Sequence, residues 1–85
     1  MPTICMFYGI GIRMFIDDRN PPHFRASHQG CNATFNFTGD LLEGEMPARQ
    51  TKMIAAWAEI HSEELAANWE LALEKEALFR INPLQ

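Results

Sequence analysis

Three side chains in this sequence have the chemistry to act on a phosphate. His23 and Arg25 lie two residues apart in the stretch Asn20–Gly30, NPPHFRASHQG, and Arg13 lies upstream. An imidazole titrates near neutrality and can serve as general acid or base. A guanidinium presents a fork of donors that stabilises the extra charge of a phosphoryl transition state. Read as a strand, His23–Ser27 puts His23, Arg25 and Ser27 on one face and Phe24 and Ala26 on the other. Arg13 falls on the non-core face of the preceding strand, so the three converge if the strands are neighbours. That set suits a metal-independent ribonuclease. The ordinary alternative is a solvated strand face, with Asp17 or Glu43 as counter-charge.

Metal chemistry is less well served. His23 and His28 are an odd number of residues apart, which on a strand means opposite faces. Cys31 alternates with the apolar positions. His61 and Glu64 share a helical spacing, but two ligands fall short of the three or four a site needs. His61 reads more simply as a half-buried histidine near a helix end. Gly9-Ile10-Gly11 lacks the third glycine of a dinucleotide fingerprint, because Met14 stands there. The expectation is no cofactor and no metal.

The elements that must position these residues follow from periodicity. From Ile4 to Ile16 every even position is apolar, which predicts extended chain with Ile4, Met6, Tyr8, Ile10, Ile12, Met14 and Ile16 on a buried face. Thirteen residues is long for one strand, so Gly9 marks a bend, a bulge or a turn between two shorter ones. Asp17–Pro22 reads as a loop stiffened by Pro21 and Pro22. His28-Gln29-Gly30 reads as a hairpin turn. Cys31–Phe37 alternates again, Thr38-Gly39-Asp40 turns, and Leu41–Glu45 gives a last short strand.

After Pro47, a residue suited to a helix start, the period lengthens through Met53, Ile54, Trp57, Ile60, Leu65, Trp69 and Leu73. One helix from Pro47 to Lys75 would run about 43 Å at ~1.5 Å per residue. A compact domain of this size is roughly 30 Å across. Either the helix breaks, at His61-Ser62 with Ser62 as N-cap and Glu63 and Glu64 in the first turn, or one end projects and packs on a partner; the break is the favoured reading. The expected fold is α+β: an antiparallel sheet of three to five strands over residues 1–46, one or two C-terminal helices over 47–77 packed on one face, and an irregular tail over 78–85. All of it fits in a single domain.

Bulk composition narrows the partners. The net charge is −4 over 85 residues, and dividing the chain at Pro47 leaves −2 in each part. There is no basic lobe for coating nucleic acid by counterion release, although a local phosphate site survives. Two cysteines, Cys5 and Cys31, do not build a disulfide scaffold. No signal segment or spanning run is visible, and the two glycosylation sequons at Asn32 and Asn36 read as chance matches. The expected setting is cytoplasmic, with no membrane partner. Met46, Met53, Trp57 and Trp69 are either core or interface anchors, and an exposed strand edge could pair with a partner.

The stretches MPTICMFYGIGIRMFIDDRNPPHFRA, LLEGEMPAR and WAEIHSEELAANWELA together resemble a small bacterial family, the domain-of-unknown-function family 4160. The resemblance implies a compact bacterial protein whose gene sits beside that of another small protein, as in a toxin–antitoxin-like module. It also implies histidines where this chain has Arg19 and Arg25. A His-x-His pair on one strand face is therefore absent here. The reading that follows is a small cytoplasmic component of such a toxin–antitoxin-like or regulatory pair that binds a partner protein, the neighbouring gene product being the first candidate. RNA and a second copy of the chain are the other partners considered. The alternative is a metal-independent ribonuclease or RNA-binding protein using His23 with Arg13 and Arg25.

Overall fold

The computed structural model describes residues 2–15 and 20–84. Five strands form one antiparallel sheet in sequential order: β1 (Thr3–Phe7), β2 (Ile10–Arg13), β3 (Phe24–His28), β4 (Cys31–Phe35) and β5 (Leu41–Gly44). Two helices follow, α1 (Ala48–Ile60) and α2 (Ser62–Leu73). The α+β fold expected from periodicity is the fold observed. Ile16, Asp17, Asp18 and Arg19, which the sequence assigns to a strand end and a loop, lie outside the described residues, and so does Asp17 as a counter-charge.

The first hairpin corrects the period-two reading. Tyr8 and Gly9 both have positive φ, 47° and 75°, the backbone of a two-residue hairpin turn whose twist matches the strands. Such a turn pairs Phe7 with Ile10 and Cys5 with Ile12, so an odd position on β1 shares its face with an even position on β2. The apolar even series therefore does not bury as one face. Met6 and Tyr8 are 58% and 62% exposed, whereas Cys5 and Phe7 join Ile10, Ile12 and Met14 in the core. Ile4 is buried as well, because a bulge between Thr3 and Cys5 shifts the register.

The second hairpin repeats the device at Gln29 and Gly30, with φ 44° and 84°. Phe24 and Ala26 of β3, with Ala33 and Phe35 of β4, complete the buried face. Phe24 is its aromatic centre. Its ring stacks on Phe35 at 5.8 Å and on Phe37 at 6.4 Å, and meets Trp57 edge-on at 5.7 Å. Ile54, Trp57, Ala58, Leu65 and Trp69 press the helices onto this face. The two tryptophans are thus core rather than interface, and Met46 and Met53 lie half-buried against it.

The helices divide where the length argument puts the break, but His61, not Ser62, holds the cap position. The backbone ladder runs through the kink, His61 N–H to Trp57 at 3.0 Å and Leu65 N–H to His61 at 2.9 Å. The resulting body measures 33 × 25 × 20 Å, too short for one straight helix of the full segment. Residues 76–84 are irregular and still held in place: Ile81 is buried and donates its N–H to the Ile4 carbonyl at 2.8 Å. No helix among the described residues is long and apolar enough to cross a membrane.

Candidate functional site

The helices cover one face of the sheet, and the other face carries its polar residues in rows. Register sets the first row: Thr3 pairs with Arg13, Arg13 with Arg25, Arg25 with Thr34, and Thr34 with Glu43. One residue from each strand therefore lies across the whole sheet. A second row runs from Met6 through Gly11 and Ser27 to Asn32. Period two keeps both rows on the face opposite Phe24 and Ala26.

Arg13 and Arg25 are the feature of this face. Direct cross-strand partners have Cβ atoms ~4.5–5.5 Å apart, and like charges placed so repel. Arg25 is exposed, and its guanidinium carbon lies 4.4 Å from the centre of the Phe15 ring, a cation–π contact that orients the fork. Arg13 is half-buried. The two line a shallow cavity of about 450 Å³ together with Phe15, Ser27, Asn32 and Glu43. Glu43 is the acid of that lining among the described residues.

His23 does not join them. It precedes β3 instead of lying in it, and its ring packs against Trp69 of α2, 5.3 Å between centres. Its Nδ1–H donates to the Pro21 carbonyl at 2.8 Å, so in the neutral ring Nε2 is left as the acceptor. The strand parity that puts His23 beside Arg25 fails because the strand begins one residue later, and contact with the α2 tryptophan sets the ring position. Of the three expected site residues, the fold brings Arg13 and Arg25 together and sends His23 to the helices.

The other histidines are used structurally. His28 Nδ1–H donates to the Gly9 carbonyl at 3.1 Å, tying one hairpin end to the other. His28 is also the register partner of Cys31. His61 Nδ1–H donates to the Glu64 carboxylate at 2.6 Å, and its ring lies 5.7 Å from Trp57. Among the described residues no group of three His, Cys, Asp or Glu side chains is placed to hold a metal ion. Burial pushes the Cys5 thiol above its ordinary range, against smaller opposing effects of the Arg80 charge and hydrogen bonds from Met6 and Trp57. A thiol so placed is a packing group, not a nucleophile.

Sequence reasoning found the two arginines and missed their surroundings. Phe15, Asn32 and Thr34 carry no motif. Their place follows only from the register, which the two-residue turns fix. The family model described as Domain of unknown function (DUF4160) matches residues 9–70, from the first turn to the last part of α2. No curated protein and no solved structure matches the chain.

Proposed function

The chain belongs to the DUF4160 family, whose description assigns no activity, and we propose that it is the partner-binding component of a toxin–antitoxin-like or regulatory two-gene module in the cytoplasm. The observation that carries this reading is the contrast between the two ends of the sheet. At β1 the backbone edge is engaged by residues of the C-terminal tail, with Ile81 on Ile4 and Arg80 on the Thr3 carbonyl at 3.5 Å. At β5 every residue is exposed, and two of them are leucines: Leu41 at 47% and Leu42 at 48%.

Proteins usually blunt an edge of this kind or cover it. Here a bulge skips Leu42 in the pairing between Thr34 and Phe35 on one side and Glu43 and Leu41 on the other, so Leu42 has no register partner on β4. The bulge limits long strand addition. It leaves a short apolar strip beside a backbone edge, which suits a partner that adds a brief strand and a side-chain pocket.

Co-expression with the neighbouring gene product should yield one complex by size exclusion. Leu42→Lys should weaken it by about tenfold, since burying the exposed part of a leucine is worth ~1–2 kcal/mol and an edge lysine opposes pairing. Absence of any complex sinks the partner reading. A complex indifferent to Leu42→Lys removes β5 as its seat.

The ribonuclease or RNA-binding alternative has support in the adjacency of Arg13 and Arg25, but His23 lies beside Trp69 and not at that pair. Induced expression that slows growth, relieved by His23→Ala, would restore it.

A further inference from the structure

We propose that the cavity between the first hairpin turn, α1 and the C-terminal tail binds a small aromatic carboxylate, its anionic end on Arg49 and its ring among Tyr8, Met53 and Leu84.

The cavity measures about 580 Å³, within the range of small-molecule sites. Its lining comes from three segments far apart in the chain: Tyr8 from the β1–β2 turn, Arg49, Gln50 and Met53 from α1, and Leu84 from the tail. The bonds of Ile81 to Ile4 and of Asn82 to Trp57 hold the tail beside the other two. Aromatic, thioether and aliphatic walls with two polar side chains match the make-up of a site for an amphipathic ligand.

Tyr8 is the residue that the fold does not account for. It takes the first position of a two-residue turn at φ 47°, where asparagine, aspartate or glycine fits and a bulky side chain is strained. The core does not call for it, because the residue is 62% exposed and its ring meets Phe7 edge-on at 6.4 Å. Strain that presents an uncovered ring at a cavity points to binding. An aromatic ligand covers that ring by offset stacking, and the Met53 sulfur adds a contact to the ligand's edge.

Arg49 sets the class of anion. One guanidinium fork is matched by the two oxygens of a carboxylate. A phosphate has oxygens to spare, and no second cation lines the cavity among the described residues. No acid lines it either, and none stands in the first turn of α1. Arg49 and Gln50 precede Met53 by four and three residues. Both are therefore its neighbours on the helix surface, ~5–6 Å between Cβ atoms. That spacing suits an acid with one or two carbons between ring and carboxylate. A chain of net charge −4 also accepts one negative charge more readily than several.

The site uses neither the β5 edge nor the Arg13–Arg25 pair. Backbone-amide NMR titration of the full chain with phenylacetate, acetate and phenylethanol separates the contributions of ring and charge. Phenylacetate should shift the amides of Tyr8, Arg49, Gln50 and Met53 and bind about tenfold more tightly than either of the others. Arg49→Gln should reduce phenylacetate to the affinity of phenylethanol and leave phenylethanol unchanged. Tyr8→Asn should weaken phenylacetate about tenfold while raising Tm, since asparagine suits the turn. A short peptide ending in phenylalanine should bind no better than phenylacetate; tighter binding overturns the small acid in favour of a chain terminus. The proposal also falls if phenylacetate leaves these amides unmoved at millimolar concentration or binds no better than acetate. An affinity that survives both Arg49→Gln and Tyr8→Asn overturns it as well.

Discussion

Asn68 is the buried polar side chain of the core among the described residues, and it spends its whole amide on one backbone unit. Its Nδ2 donates to the Phe79 carbonyl at 2.9 Å, and its Oδ1 accepts the Phe79 N–H at 3.0 Å. A strand-like pair of bonds is thus made by a side chain, with no strand present. Asn68→Ala would leave both Phe79 groups without these partners, and it should lower stability by about 2–3 kcal/mol in a urea titration. A loss under ~0.5 kcal/mol would mean that the tail is anchored elsewhere. Gly39 imposes a second strict condition. Its φ is 89°, and a Cβ there would lie 2.7 Å from the Ala55 Cα of α1. Ala55 is backbone that cannot give way, so Gly39→Ala should cost about 2 kcal/mol or more, read by the same titration. Neither condition shows in the sequence. An asparagine on a helix and a glycine in a turn look the same whether or not a second segment passes beside them.

At the scale of elements, the C-terminal tail is the piece whose importance periodicity hides. It has no regular structure, and it is fixed through Phe79 to Asn68, Arg80 to the Thr3 carbonyl, Ile81 to Ile4, and the Asn82 carbonyl accepting the Trp57 indole N–H at 2.8 Å. It covers the β1 edge and closes the core over Trp57. Deleting residues 79–85 should expose that edge and produce concentration-dependent association in analytical ultracentrifugation. A truncated chain that stays monomeric would show that the tail does not guard the edge. The helix break, by contrast, is one of two outcomes legible in advance, because a helix of about 43 Å fits a domain this small only if one end projects. Its cap residue is not. His61 takes the position that Ser62 has the better propensity for, through its bond to Glu64 and its contact with Trp57.

Across the whole molecule, sheet and helices share one core, with Phe24 of β3 against Trp57 of α1 and Phe37 against Trp69 of α2. Each helix is joined to the sheet side of the core through these aromatic contacts. Unfolding followed by tryptophan fluorescence and by far-ultraviolet circular dichroism should therefore give one coincident transition. Two separate midpoints would show that the helices leave the sheet before it unfolds.

The sequence by itself determined the class of fold, the strand count to within a range, a helical segment of one or two helices and the presence of two arginines on a sheet face. These depend on local periodicity and length, which each segment carries alone. The tertiary structure decided which positions share a face and which side chains meet. Two-residue turns reversed the parity between β1 and β2 and lined up Thr3, Arg13, Arg25, Thr34 and Glu43, and packing on Trp69 drew His23 out of that row. Register and aromatic packing depend on residues far apart in the chain. A site composed across five strands exists only once those strands are joined.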